Sequence, residues 1–192
     1  MFTQNTNQSS AQQIKVEAHQ TAGVQFYAQP YNPDARGFYF SAEEEYEQKS
    51  SQCRDSFNLP VEEFEIQFID GSREESDLFD ACGVNQANLG QYLFIIEDVP
   101  EYQLPALFYL CDVLGYSMED AMNKLDDVTL YSGRLEDAAE ELFDECYAHE
   151  IPDNLRNYID YKAFANDCQQ GGDMTEFEFA GETYTCTNAA CV

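Results

Sequence analysis

The 192-residue chain has no tryptophan, two histidines, and only nine Lys and Arg to set against 37 Asp and Glu. Its formal net charge is -28. Between Arg73 and Lys124 there is no basic residue at all, while Glu74, Glu75, Asp77, Asp80, Glu97, Asp98, Glu101, Asp112, Glu119 and Asp120 fall in that interval. A phosphate-binding stripe cannot be assembled from such a composition, so direct nucleic-acid binding is disfavoured. No apolar run approaches the roughly 20 residues of a membrane span, so no membrane association is expected. The N-terminal MFTQNTNQSSAQQ has neither the basic start nor the apolar stretch of a signal peptide, which points to a cytoplasmic location. The seven cysteines (Cys53, Cys82, Cys111, Cys146, Cys168, Cys186 and Cys191) include no CxxC pair, so neither a disulfide framework nor a zinc site is indicated. They read as reduced and mostly buried, with Cys191 the most exposed.

Catalytic signatures are missing too. There is no GxSxG, HExxH, P-loop or glycine-rich dinucleotide turn. His19 falls in a polar leader and His149 at a helix end, where a capping or surface role outweighs catalysis. Carboxylate pairs of the kind glycosidases use are expected by chance among so many acids. The nearest approach to a calcium loop, DNLRNYID at 153–160, lacks the glycine and the terminal Glu. The expectation is a protein that is not an enzyme and needs no cofactor or metal.

What is present is a folding composition: 14 Phe and 13 Tyr. A disordered acidic tail has no core to fill and is poor in aromatics, so the chain reads as a packed protein wearing a negative coat. Such a coat costs stability through self-repulsion, and a partner that reads negative charge explains it best. Proteins that bind nucleic acid are such partners. General halophilic acidity would instead spread acids evenly over a chain with fewer aromatics.

Along the chain, residues 1–22 read as a flexible leader rich in Gln, Asn, Ser and Thr. A strand at 24–31, its partner at 37–41, a helix over 42–58 and a strand at 61–70 make a β-β-α-β unit. Ser41 is the expected N-cap of that helix, in a capping box with Glu44, and Pro60 its stop. In the last strand Phe64, Ile66 and Phe68 alternate with Glu63, Glu65 and Gln67. From Asp77 to Lys124 the pattern is helical, with segments near 86–97, 101–114 and 117–124. A short strand at 127–133 precedes the longest clean helix, 135–150, and EFEFAGETYTCT (176–187) reads as a hairpin around Ala180-Gly181. The fold class is therefore α+β: an N-terminal α+β unit (23–88), a helical middle unit (89–126) and a C-terminal α+β unit (127–192), elongated and in line.

On the helix at 135–150, a step of 100° per residue gathers Glu136, Asp137, Glu140, Glu141, Asp144 and Glu145 on one side. Leu135, Ala138, Ala139, Leu142, Phe143, Cys146 and Tyr147 take the other. No Lys relieves the acidic side at i+4. Carboxylates recur about every 6 Å along the axis at 1.5 Å rise per residue, close to the separation of successive phosphates on a nucleic-acid strand. At about one charge per 1.7 Å of duplex, the coat corresponds to roughly 48 Å of DNA, and a dimer to twice that. Further acids assigned to this partner surface are Glu62, Glu63, Glu65, Asp70, Glu74, Glu75, Asp77, Asp80, Glu119 and Asp120. Tyr158, Tyr161 and Phe164, at i, i+3 and i+6, read as core; Leu130 and Tyr131 are candidates for an interface between copies.

The stretch IPDNLRNYIDYKAFANDC (151–168), following the acidic helix and followed by a hairpin, resembles the ArdA family of antirestriction proteins. FYFSAEEEYEQK (38–49), VEEFEIQFIDG (61–71) and GVNQANLGQYL (83–93) resemble the corresponding family segments in the same order. The resemblance implies an elongated DNA mimic of three small domains. It implies a homodimer that occupies the DNA-binding cleft of type I restriction-modification enzymes and spares incoming plasmid or transposon DNA. The family's antirestriction motif is matched to the region of Glu136 to Glu145. The leader and the tail TCTNAACV have no family counterpart. The alternative reading is an acidic DNA mimic directed at a nucleoid protein, a repair enzyme or another defence nuclease.

Overall fold

The computed structural model describes residues 23–192; the leader at 1–22, with Lys15 and His19, lies outside the described residues. The protein mixes helices with two small antiparallel sheets, an α+β architecture.

In the first sheet β1 (Gln25–Pro30) lies between β2 (Phe38–Phe40) and β3 (Phe64–Asp70). Period-two alternation buries Val24, Phe26, Ala28 and Pro30 and turns Gln25 and Gln29 to solvent. Register places Phe26 opposite both Phe40 and Phe68, and Ala28 opposite Phe38 and Ile66. Phe26 is fully buried in an aromatic cluster, 5.3 Å from Phe40, 5.7 Å from Phe68, 5.9 Å from Phe79 and 6.1 Å from Tyr92. Stacked and edge-on rings at these separations add to the burial of their large apolar area.

Helix α1 (Glu43–Gln52) departs from the sequence expectation at both ends. Ala42, not Ser41, takes the N-cap position, and the Ser41 backbone N–H donates to the Glu45 carboxylate at 2.8 Å. The helix stops six residues short of 58 because Asp55 competes for the backbone: its Oδ1 accepts from the N–H groups of Phe57 and Leu59, both at 2.9 Å. Pro60 consequently pairs with Arg54 in an isolated bridge and does not end the helix.

Helix α2 (Arg73–Ala81) starts earlier than Asp77, at a capping box the sequence already carries. Ser72 Oγ accepts from Glu75 N at 3.1 Å while the Glu75 carboxylate accepts from Ser72 N at 2.7 Å. Helix α3 (Leu89–Asp98) follows, and a 3-10 turn leads into α4 (Leu104–Phe108), which continues as a π-helical turn over Tyr109–Val113. Gly115, at φ +73°, ends that run, and Ser117 caps α5 (Met118–Lys124).

The second sheet places β6 (Glu182–Cys186) between β4 (Leu130–Ser132) and β5 (Thr175–Phe179). Ala180 and Gly181 take φ +53° and +84°, the paired positive values of a type I′ turn, so the predicted hairpin forms around them. Helices α6 (Leu135–Cys146), α7 (Asp153–Arg156) and α8 (Tyr161–Gly171) complete the chain, with a 3-10 turn between α6 and α7.

One hydrophobic core runs from Val24 to Cys186. It includes the hairpin, whose Phe177 and Phe179 pack on Tyr109 and Phe108 at 5.2 and 5.1 Å. At the hairpin tip the Ala180 N–H donates to Asp77 Oδ2 at 2.9 Å, and the Arg73 guanidinium lies against Gly181, where a Cβ would collide with it. A smaller core of Leu135, Ala139, Ala165, Cys168 and Met174 joins α6 to α8. All seven cysteines are free; Cys111, Cys168 and Cys186 are buried, while Cys146 is exposed along with Cys191.

Candidate partner-binding surface

The N-terminal end of helix α6 is positioned by residues distant in sequence. Arg134 occupies its N-cap without a side-chain cap bond, and the Glu176 carboxylate on β5 accepts from Leu135 N at 2.6 Å instead. A carboxylate at that end also complements the helix dipole. Just before the helix, buried Thr185 donates from Oγ1 to the Gly133 carbonyl at 2.9 Å.

With its apolar side on α8, the helix turns Glu136, Asp137, Glu140, Glu141, Asp144 and Glu145 out, and all six are exposed. Among the described residues none of them lies in an ion pair; the four pairs found are Lys49–Glu45, Arg73–Asp77, His149–Glu150 and Arg156–Asp153. Asp144 accepts a hydrogen bond from the Tyr161 hydroxyl at 2.9 Å. That bond, with burial and the neighbouring charges of Asp144 and Glu140, raises the Tyr161 pKa and keeps the phenol protonated.

The apolar side is shorter than the sequence suggests. Leu135, Ala138 and Ala139 are buried and Leu142 and Phe143 half-buried, but Cys146 and Tyr147 are exposed because the last turn runs past the small core on α8. Tyr161 and Phe164 do pack on Phe143, at 5.5 and 5.2 Å. Tyr158 does not: it sits between α7 and α8, 84% exposed, because residues 157–160 are not helical and the i, i+3 spacing does not apply there.

The remaining acids fall into two groups. Glu62, Glu63, Glu65, Asp70, Asp80, Glu119 and Asp120 are exposed. Glu65 accepts from Gln67, Asp70 from Gly71 N, and Asp120 from the Ser117 hydroxyl, all local bonds that leave each carboxylate in solvent. Glu74, Glu75 and Asp77 are half-buried, Glu75 in the α2 capping box and Asp77 at the hairpin tip. Leu130 and Tyr131 are half-buried on β4, an edge strand, and the Tyr131 ring covers Gly133. Glu176 was not among the residues singled out from the sequence, since nothing local marks a cap that reaches 41 positions along the chain.

A sequence model described as "Antirestriction protein (ArdA)" matches residues 34–182, more than three quarters of the chain, including every acid named above. The chain belongs to the ArdA antirestriction protein family. A search of curated proteins gave no match. Family membership makes antirestriction the function to which this surface is referred. Among the described residues no group of three or more His, Cys, Asp or Glu is arranged to hold a metal ion. No helix among them is long and apolar enough to cross a membrane.

Proposed function

We propose that the chain acts against restriction as a DNA mimic, occupying the DNA-binding cleft of a type I restriction-modification enzyme. The observation that carries this reading is the α6 face, six exposed carboxylates with no cation partner among the described residues, mounted on a helix anchored by Glu176. A basic cleft lined for phosphates would exchange its counterions for this face as it does for DNA. No catalytic step is part of the reading: the protein inhibits by occupancy, and does so in the cytoplasm.

The reading includes a homodimer with Leu130 and Tyr131 of edge strand β4 at the interface, since an unpaired strand edge is a template for pairing. It also includes an elongated arrangement of three units divided near residues 88 and 126. Small-angle scattering on the monomeric species tests the shape, and a radius of gyration near the roughly 16 Å of a compact globule of this length would contradict it.

The deciding experiment is a gel-shift competition between the protein, labelled DNA and a purified type I methyltransferase. Displacement of DNA at low salt that fades toward physiological salt is expected, with no shift of DNA by the protein alone. DNA that stays bound under an excess of the protein would refute the mechanism.

A further inference from the structure

The acidic coat has a gap. Of the eight Lys and Arg within the described residues, Arg36, Lys49 and Arg54 line one open groove of about 650 Å³ between the β1–β2 turn and the end of α1. The acids beside them are Asp34, Asp55 and Glu45, the last paired with Lys49 at 2.6 Å. Three cations against three anions make this patch formally neutral on a chain of net charge -28.

Next to the groove a bonded loop carries apolar side chains in solvent. Besides holding Phe57 N and Leu59 N, Asp55 accepts from Asn32 Nδ2 at 3.2 Å and donates its own N–H to Leu59 O at 3.0 Å. Ser56 N donates to Asp34 O at 3.0 Å, and Asn58 takes φ +64°, a conformation its short polar side chain tolerates. So fastened, the loop leaves Phe57 73% and Leu59 59% exposed. Single exposed apolar residues are ordinary, but here two stand together on an ordered loop at the point where the coat is interrupted.

We propose that this loop and groove form a second docking element, which takes an apolar pocket rimmed by carboxylates on the protein that the chain inhibits. The inference rests on the reading of the partner as a type I restriction-modification enzyme, and it places this contact outside the DNA cleft. The charge argument turns on which groups are already engaged: Glu45 is paired with Lys49 and the Asp55 carboxylate is held by its own loop, which leaves the guanidinium groups of Arg36 and Arg54 against Asp34 alone. A cleft built for phosphates is basic and repels guanidinium groups, whereas a carboxylate rim receives them in bidentate pairs. The Arg36 guanidinium has no hydrogen bond or ion pair among the described residues, and Arg54 spends one guanidinium nitrogen on the carbonyls of Ser51 and Cys53, at 2.9 and 2.7 Å. Both retain donors for a partner.

The test measures binding of the full chain to a purified type I methyltransferase across a salt series. The parent, F57S/L59S, R36E and the α6 variant E140Q/E141Q/D144N/E145Q are compared. F57S/L59S is expected to bind about tenfold more weakly at every salt concentration with the parent's salt slope, as for a central apolar anchor. R36E is expected to weaken binding most at low salt, and the α6 variant to flatten the slope. Because Phe57, Leu59 and Arg36 are exposed, circular dichroism should show each variant folded. If both loop variants bind like the parent while the α6 variant is impaired, this inference fails and the DNA-mimic reading stands. If the parent does not bind, both fail.

Discussion

Replacing Glu140, Glu141, Asp144 and Glu145 by Gln or Asn should separate function from stability in a way that follows from the geometry of α6. The four substitutions remove the i,i+4 repulsions 136–140, 137–141, 140–144 and 141–145 on one exposed face. Two unit charges about 6 Å apart in water repel by roughly 0.7 kcal/mol, and screening over a Debye length of about 8 Å reduces this to about 0.3 kcal/mol. That agrees with the magnitude seen for like-charge pairs in helices. Four such pairs sum to about 1.3 kcal/mol, or a rise in Tm of about 3–5 °C for a domain of this size. The lost carboxylates lie toward the helix C-terminus, where they oppose the dipole, while Glu136 and Asp137 in the favourable first turn are retained. The amide oxygen that D144N introduces can still accept from the Tyr161 hydroxyl, so that bond is kept. Thermal unfolding at low and physiological salt gives the stability, and restriction of unmodified phage DNA in cells gives the function. The variant should melt higher, by a margin that shrinks with salt, and protect less well. Undiminished protection would leave α6 as a merely solvated face; a lower Tm would mean that the carboxylates stabilise the fold.

The Glu176 cap gives a second expectation: E176A should cost about 1 kcal/mol and speed exchange of the Leu135 amide, while E176Q, which keeps an acceptor oxygen, should lose less. A180N should raise Tm by about 2–4 °C, because Asn tolerates the positive φ of a type I′ turn better than Ala and preserves the N–H bond to Asp77; an unchanged or lower Tm would count against the turn assignment. The loop at 55–59 should respond to acid. Backbone bonds from Leu59 and Phe57 and the Asn32 amide hold the Asp55 carboxyl below its ordinary value of 3.8, so its stabilising effect is fully present above that pH and is lost as pH falls below it. Amide exchange at Phe57 and Leu59 should therefore accelerate in that window, and D55A, which removes the acceptor oxygens, should show fast exchange at all pH; an acid-insensitive loop would exclude Asp55 as its organiser.

What the sequence discloses is what is decided locally. The alternation of Phe64, Ile66 and Phe68 marks β3, and Gly181 after Ala180 marks a hairpin because glycine takes the positive φ of a tight turn without a Cβ penalty. The two-sided pattern at 135–150 marks α6, although the helix ends at Cys146 and a 3-10 turn takes Ala148–Glu150, and the exposure of its six acids follows. Family segments along the chain disclose the function class. Failures occur where a side chain competes with a backbone pattern or reaches across the fold. Asp55 ends α1 before the helix-forming composition does, and Ser72 with Glu75 starts α2 at a box that follows a glycine and is easily passed over as loop. Tyr158 holds a helical spacing in a stretch that is not helix. The bonds from Leu135 to Glu176 and from Ala180 to Asp77 span 41 and 103 residues, so no window on the sequence contains both partners.

These long-range bonds also explain how so acidic a chain folds. The acids that build structure are engaged by backbone N–H groups: Glu75 at Ser72, Asp77 at Ala180, Glu176 at Leu135 and Asp55 at Phe57 and Leu59 of its own loop. Each makes a charge-assisted bond that needs no cation, and burial of an aromatic-rich core supplies the rest. Because folding depends little on ion pairs, the scarcity of Lys and Arg carries a small structural cost, and the acids of α6 are left uncompensated without endangering the fold. A Lys at i+4 to Glu136, Asp137, Glu140 or Glu141, all within α6, would improve the helix by a few tenths of a kcal/mol. The absence of such a residue at all four positions is the pattern expected when an outside cation, carried by a partner, is the counter-charge.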